Sequence, residues 1–128
     1  MTRSQGRARR VRGEPGQATV EFALVLPLLI MAMLAVIQVS LLVRDDLAVA
    51  HAAREAVREA SVDPDPGRVV AAARRTLPGA NVDVAPRPAV GEPISVEVSY
   101  RSVTDVPLVG VLFPDPVLRS RAVMRVER

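Results

Sequence analysis

The chain has 128 residues, 17 basic side chains (all arginine) against 14 acids, no cysteine and three aromatic residues. Without cysteine there are no disulfides, thiol nucleophiles or zinc–thiolate sites. With only Phe22, Tyr100 and Phe113 there is no aromatic platform on which nucleic-acid bases would stack, so no nucleic-acid partner is expected.

The net charge of +3 is concentrated at one end. Arg3, Arg7, Arg9, Arg10 and Arg12 precede Gly16 against the single acid Glu14, whereas from Arg44 onward 12 arginines balance 12 acids. Between Glu21 and Arg44 lie 22 uncharged, mostly apolar residues, Phe22–Val43. As a helix this run spans roughly 33 Å, enough for a hydrocarbon core of about 30 Å. An arginine tail before such a run places the N-terminus in the cytoplasm and the C-terminal part outside it. The expectation is a single-pass protein of the cytoplasmic membrane in contact with the lipid bilayer. A secretory signal peptide also begins basic then apolar, but its apolar part is usually about 7–15 residues long. The one Ala-x-Ala candidate, Ala50-His51-Ala52, is separated from the run by Arg44, Asp45 and Asp46.

Glu21 stands at the mouth of this run. A carboxylate costs about 2.5–3.5 kcal/mol at the centre of a membrane helix and less near its edge, so something must offset it. One source is the helix dipole, worth about 0.3–1 kcal/mol if the acid lies in the first turn. A second is a fixed cation. Cleavage after Gly16 creates an ammonium on Gln17, about one helical turn from Glu21, and in an assembly of parallel helices the carboxylate can instead meet a neighbour's ammonium and set the axial register between subunits.

The order Gly16, Gln17-Ala18-Thr19-Val20, Glu21-Phe22 resembles the processing site of type IV prepilins, in particular the Flp/Tad branch. The wider stretch GQATVEFALVLPLLI…REAVREA resembles the TadE family of minor pilins or pseudopilins, over roughly Gly16–Ala60. The resemblance implies that Met1–Gly16 is a basic leader and that a membrane prepilin peptidase cuts between Gly16 and Gln17. It also implies that Glu21, with Phe22 beside it, is the carboxylate used in processing or assembly. The implied partners are that peptidase, the Tad inner-membrane platform and other pilin-like subunits; no cofactor or metal is implied. The main type IV pilins usually have Phe or Met after the cut, where this chain has Gln17. The competing reading is a permanent single-pass anchor presenting a small extracytoplasmic binding domain.

Pro27 interrupts the apolar run, so the helix either begins near Ala18 and kinks at Pro27 or begins near Pro27. Gln38 and Ser40 are the polar residues deeper in the run, suited to hydrogen bonds between helices of about 0.6 kcal/mol each. Helical periodicity continues past Val43. Val49, Ala52, Ala53, Ala56, Val57 and Ala60 share one face, while His51, Arg54, Glu55, Arg58 and Glu59 share the other. One helix of residues 17–61, with a transmembrane part over 22–43, follows. The small-residue stripe Ala52, Ala56, Ala60 admits close approach of another element, and the protein's own C-terminal sheet is preferred over a neighbouring subunit. His51, on the polar face, is expected to be solvated or to serve as a cap.

Asp63-Pro64-Asp65-Pro66-Gly67 reads as a turn; its aspartates do not complete a calcium-loop spacing. A short helix is expected over Arg68–Leu77, with Val69, Val70, Ala73 and Leu77 inward. Strands are expected at Asn81–Ala85, at Ile94–Val103 with Ile94, Val96, Val98 and Tyr100 inward, and at Leu118–Val126 with Leu118, Ser120, Ala122, Met124 and Val126 inward. Pro86–Pro93 is a loop. The apolar, proline-broken Asp105–Pro116 is either a loop pressed on the core or an exposed patch. Residues 62–128 thus form an exported small α+β region, and the whole is α+β and pilin-like: a long N-terminal helix, a short helix and an antiparallel sheet of about three strands. No constellation with catalytic or metal-ligand spacing is present, so an enzyme is not expected.

Overall fold

A computed structural model of the chain describes residues 16–104, 106–107, 110 and 114–127. The elements are α1 (Gln17–Val62), α2 (Pro66–Thr76), β1 (Asn81–Val84), β2 (Pro93–Arg101) and β3 (Val117–Arg125). The chain is α+β, with a long apolar helix, a short helix and a three-stranded antiparallel sheet in the order β1-β2-β3. It divides into two compact units at Met33/Leu34.

In the first unit the described residues after Gly16 are helical, and Pro27 lies inside the helix. Of the two readings of Pro27, the early start therefore holds. Proline has no N–H to donate, so the carbonyl of Ala23 lacks its usual partner one turn on. The large side chains of this stretch face outward: Leu24 is 73% exposed and Leu28 72%.

In the second unit, both helices cover one face of the sheet. Val49, Ala52, Ala53, Ala56, Val57 and Ala60 of α1 are all buried, on the face that the helical period marks out. They form one core with Val69, Ala73 and Leu77 from the α2 side and Ile94, Val96 and Val98 of β2. Alanine every fourth residue keeps this surface of α1 shallow, and a helix can then lie close against a flat sheet. Each fully buried Val or Ile contributes about 1.5–3 kcal/mol of transfer free energy.

The turn after α1 is built by its two aspartates. Asp63 Oδ1 accepts the Asp65 N–H at 2.8 Å, and Asp65 Oδ1 accepts the Gly67 N–H at 2.8 Å. Asp65 is thus the N-cap of α2 and Pro66 its first residue, a position where proline's missing donor has no cost. This cap starts α2 two residues before the expected Arg68. The inward face differs slightly from the expected one: Ala72 is buried while Val70 is only half-buried.

β2 is the central strand, and its Ile94, Val96 and Val98 are buried as the alternation predicts. β3 is an edge strand, and its inward side is less covered. Leu118, Ser120 and Ala122 are half-buried and Val126 is buried, but Met124, opposite Ile94 on the same face, is 39% exposed. Arg119 and Glu97 meet at 3.9 Å on the outer face, with both side chains well exposed, a contact worth little to stability.

Of the apolar connection Asp105–Pro116, residues 105, 108–109 and 111–113 lie outside the described residues. Its base is well defined. The Ser102 N–H donates to the Pro116 carbonyl at 3.0 Å, and the Thr104 N–H to Asp115 Oδ1 at 3.0 Å. Val106 is buried, and a Cβ at Gly110 would collide with the Thr104 carbonyl oxygen.

Candidate processing and assembly site

The sequence motif falls at the first turns of α1. Gly16 is the residue just before the helix, and its carbonyl accepts the Val20 N–H at 3.2 Å. Nothing within the described residues demands glycine there. A Cβ would meet no atom within 4 Å, and the backbone is not in the left-handed region that favours glycine. Among the described residues neither packing nor backbone conformation accounts for a glycine at position 16.

Gln17 and Glu21 are brought together. The Gln17 carboxamide Nε2 donates to Glu21 Oε1 at 3.3 Å across one helical turn, the i,i+4 relation that puts two side chains on one face. Because the helix starts at Gln17, Glu21 is in its second turn, and the first turn contains no acid. The dipole falls off within the first turn, so it is a poor explanation for this carboxylate. Phe22 is 61% exposed.

Ser40 and Gln38 have different fates. Ser40 Oγ donates to the Val36 carbonyl of its own helix at 2.8 Å, so its proton is used locally rather than across to a neighbour. Gln38 Oε1 is buried and, among the described residues, has no hydrogen-bond partner.

Two polar devices were not legible from the sequence. The Arg87 guanidinium, from the loop between β1 and β2, donates to the carbonyls of Ala60, Ser61 and Asp63 (3.0 Å for Asp63) at the C-terminal end of α1. These are the acceptors that a helix end leaves without partners, and a cation there also complements the dipole. Ser102 Oγ donates to Asp45 Oδ2 at 2.6 Å, joining positions 57 residues apart. Arg87 between two prolines and Asp45 among charged neighbours both look like solvated surface in sequence; no local spacing reveals either bond.

Among the described residues α1 is the one helix long and apolar enough to cross a membrane, and its most apolar stretch is exposed throughout. This fits single-pass anchoring. No curated protein and no solved structure matches the chain. The model of the family described as TadE-like protein matches residues 16–58. That span, about a third of the chain, holds Gly16, Gln17, Glu21, Phe22 and Pro27 and runs on into the buried alanine face, and over it the chain is similar to TadE-like proteins.

Proposed function

We propose that the protein is a membrane-stored minor pilin or pseudopilin of a Tad-type pilus or secretion apparatus. A prepilin peptidase cuts after Gly16, and the new Gln17 ammonium, its own or a neighbour's, pairs with Glu21 to align the subunit during assembly. The observation that carries this reading is the pair of Gly16 and Glu21. Among the described residues nothing requires glycine at 16, and Glu21 lies one turn from Gln17, beyond the reach of a first-turn dipole. The family match over 16–58 supports the same assignment. In this reading the chain works by assembly rather than catalysis. Its partners are the peptidase, the Tad inner-membrane platform and other pilin-like subunits. The N-terminus lies on the cytoplasmic side, and the sheet lies outside.

The test is Gly16→Ala. The open space around the position predicts unchanged folding of the remainder, read by circular dichroism and thermal melting, together with loss of processing, read as retention of the full-length mass. Processing of Gly16→Ala at the wild-type rate would contradict the assignment of the cut.

A further inference from the structure

The solvent face of the sheet is polarised from one edge to the other. The register puts Asp83 of β1, Glu97 of β2 and Arg121 of β3 in one row, and Asn81, Ser99 and Arg119 in a second. Acid therefore lies at the β1 edge and cation at the β3 edge, where Arg119, Arg121 and Arg125 are all exposed. These rows belong to the face that the helices leave open, since the alternate residues Ile94, Val96 and Val98 are the buried ones.

Two charges in this pattern are unmatched. Asp83 stands directly opposite Glu97, and like charges at paired positions oppose strand pairing. Glu97 meets Arg119 at 3.9 Å, whereas Asp83 has no cation within salt-bridge distance among the described residues. Arg121 Nη2 donates to the neutral Ser95 Oγ at 2.9 Å, and its guanidinium likewise has no acid partner among them.

The backbone edges are open as well. Among the described residues the sheet ends at β1 on one side and at β3 on the other. Both strands run antiparallel to β2, so they run parallel to each other. The strands also lie lengthwise along α1: Ser102 at one end of the sheet bonds Asp45, and the Glu127 N–H at the other end donates to the Ser61 carbonyl. Copies anchored side by side in one membrane share an orientation, so β1 of one copy meets β3 of the next running the same way. At equal height the rows continue from copy to copy, and the neighbour's Asp83 falls beside Arg121.

We infer that the β3 edge is a docking surface for the β1 edge of a second copy of this chain. The contact is head-to-tail: two different surfaces meet, and it can repeat along a row of subunits. Exposed arginines on an edge strand discourage pairing with an arbitrary strand, whereas an edge that brings an acid to the same row is admitted. One exposed ion pair holds little by itself; confinement to a common membrane raises the effective concentration and offsets this. The inference rests on membrane anchoring and not on the cut after Gly16.

The chain lacks cysteine, so engineered thiols report single contacts on the full protein in vesicles. Chains carrying Asn81→Cys are reconstituted together with chains carrying Arg119→Cys and oxidised. Within one chain the two positions are two strands apart, about 10 Å. A disulfide needs Cα atoms within about 7 Å, so a chain with both substitutions can bond only to a neighbour. The expected results are a disulfide dimer in the mixture, a ladder of oligomers from the double variant, and little dimer from either single variant alone. Asp83→Arg in the Asn81→Cys chain lowers the dimer yield about tenfold or more, because like charges then meet; Asp83→Asn lowers it less. Asp83 is exposed, so circular dichroism is expected to show unchanged folding in both. Absence of dimer in the mixture, as much dimer from one single variant as from the mixture, or a yield indifferent to Asp83→Arg would each overturn the inference. Release of the protein from the vesicles by carbonate would instead overturn the anchoring on which it rests.

Discussion

The two halves of α1 are continuous in backbone and opposite in design. Before Val43 the helix carries large side chains, Leu24, Leu28, Leu29, Ile30, Met33, that are exposed among the described residues. From Val49 to Ala60 the apolar residues are small and wholly buried against the protein's own sheet, while arginines and glutamates occupy the other face. One half carries apolar surface on all sides and the other on a single stripe, the respective marks of a helix that needs lipid and one that packs in a core. A single element can therefore serve two solvents, and the change of solvent is written in side-chain size as well as in polarity.

The contrast can be broken at either end. The largest effect is expected from Met33→Arg in the first half: a charge at the centre of the run costs about 3 kcal/mol in a bilayer, shifting the membrane-bound fraction about hundredfold. Carbonate-resistant membrane fractionation checks it, and the folded second unit is expected to melt unchanged. In the second half, Ala56→Leu leaves hydropathy intact but overfills the core, at a cost of about 1–3 kcal/mol, read as a lowered unfolding midpoint with membrane partition unaltered. The same Ala→Leu change at Ala32, exposed in the first half, is expected to cost nothing in either assay. Of the changes expected to cost anything, the smallest belongs to the turn that ends α1: Asp65→Ala removes the cap of α2 and costs about 1 kcal/mol, again by denaturation.

These halves differ also in how far their sequence could be read. The buried face of α1 and the inward residues of β2 were legible because one side of each element meets a core and the other meets water, which imprints a period of 3.6 or 2 on polarity. The first half has no such period, since all its sides meet the same medium, and its start was left between Ala18 and Pro27 until the structure put it at Gln17. Met124 shows the limit of alternation, which marks a face and not its coverage: it pairs with buried Ile94 yet stays 39% exposed. The Arg87 cap and the Asp45–Ser102 bond depend on tertiary approach, for which single residues carry no local signal. At the candidate site the residue types were legible from the motif, whereas the structure contributed the open space at Gly16 and the second-turn position of Glu21.

The central claim, that Glu21 is tolerated at the edge of the apolar run because cleavage supplies a positive chain end, is tested most directly by the intact mass and N-terminal sequence of the protein recovered from the membranes of its own host. The account predicts a chain that begins at Gln17. A functional protein that still carries the arginine-rich residues ahead of Gly16 would contradict it.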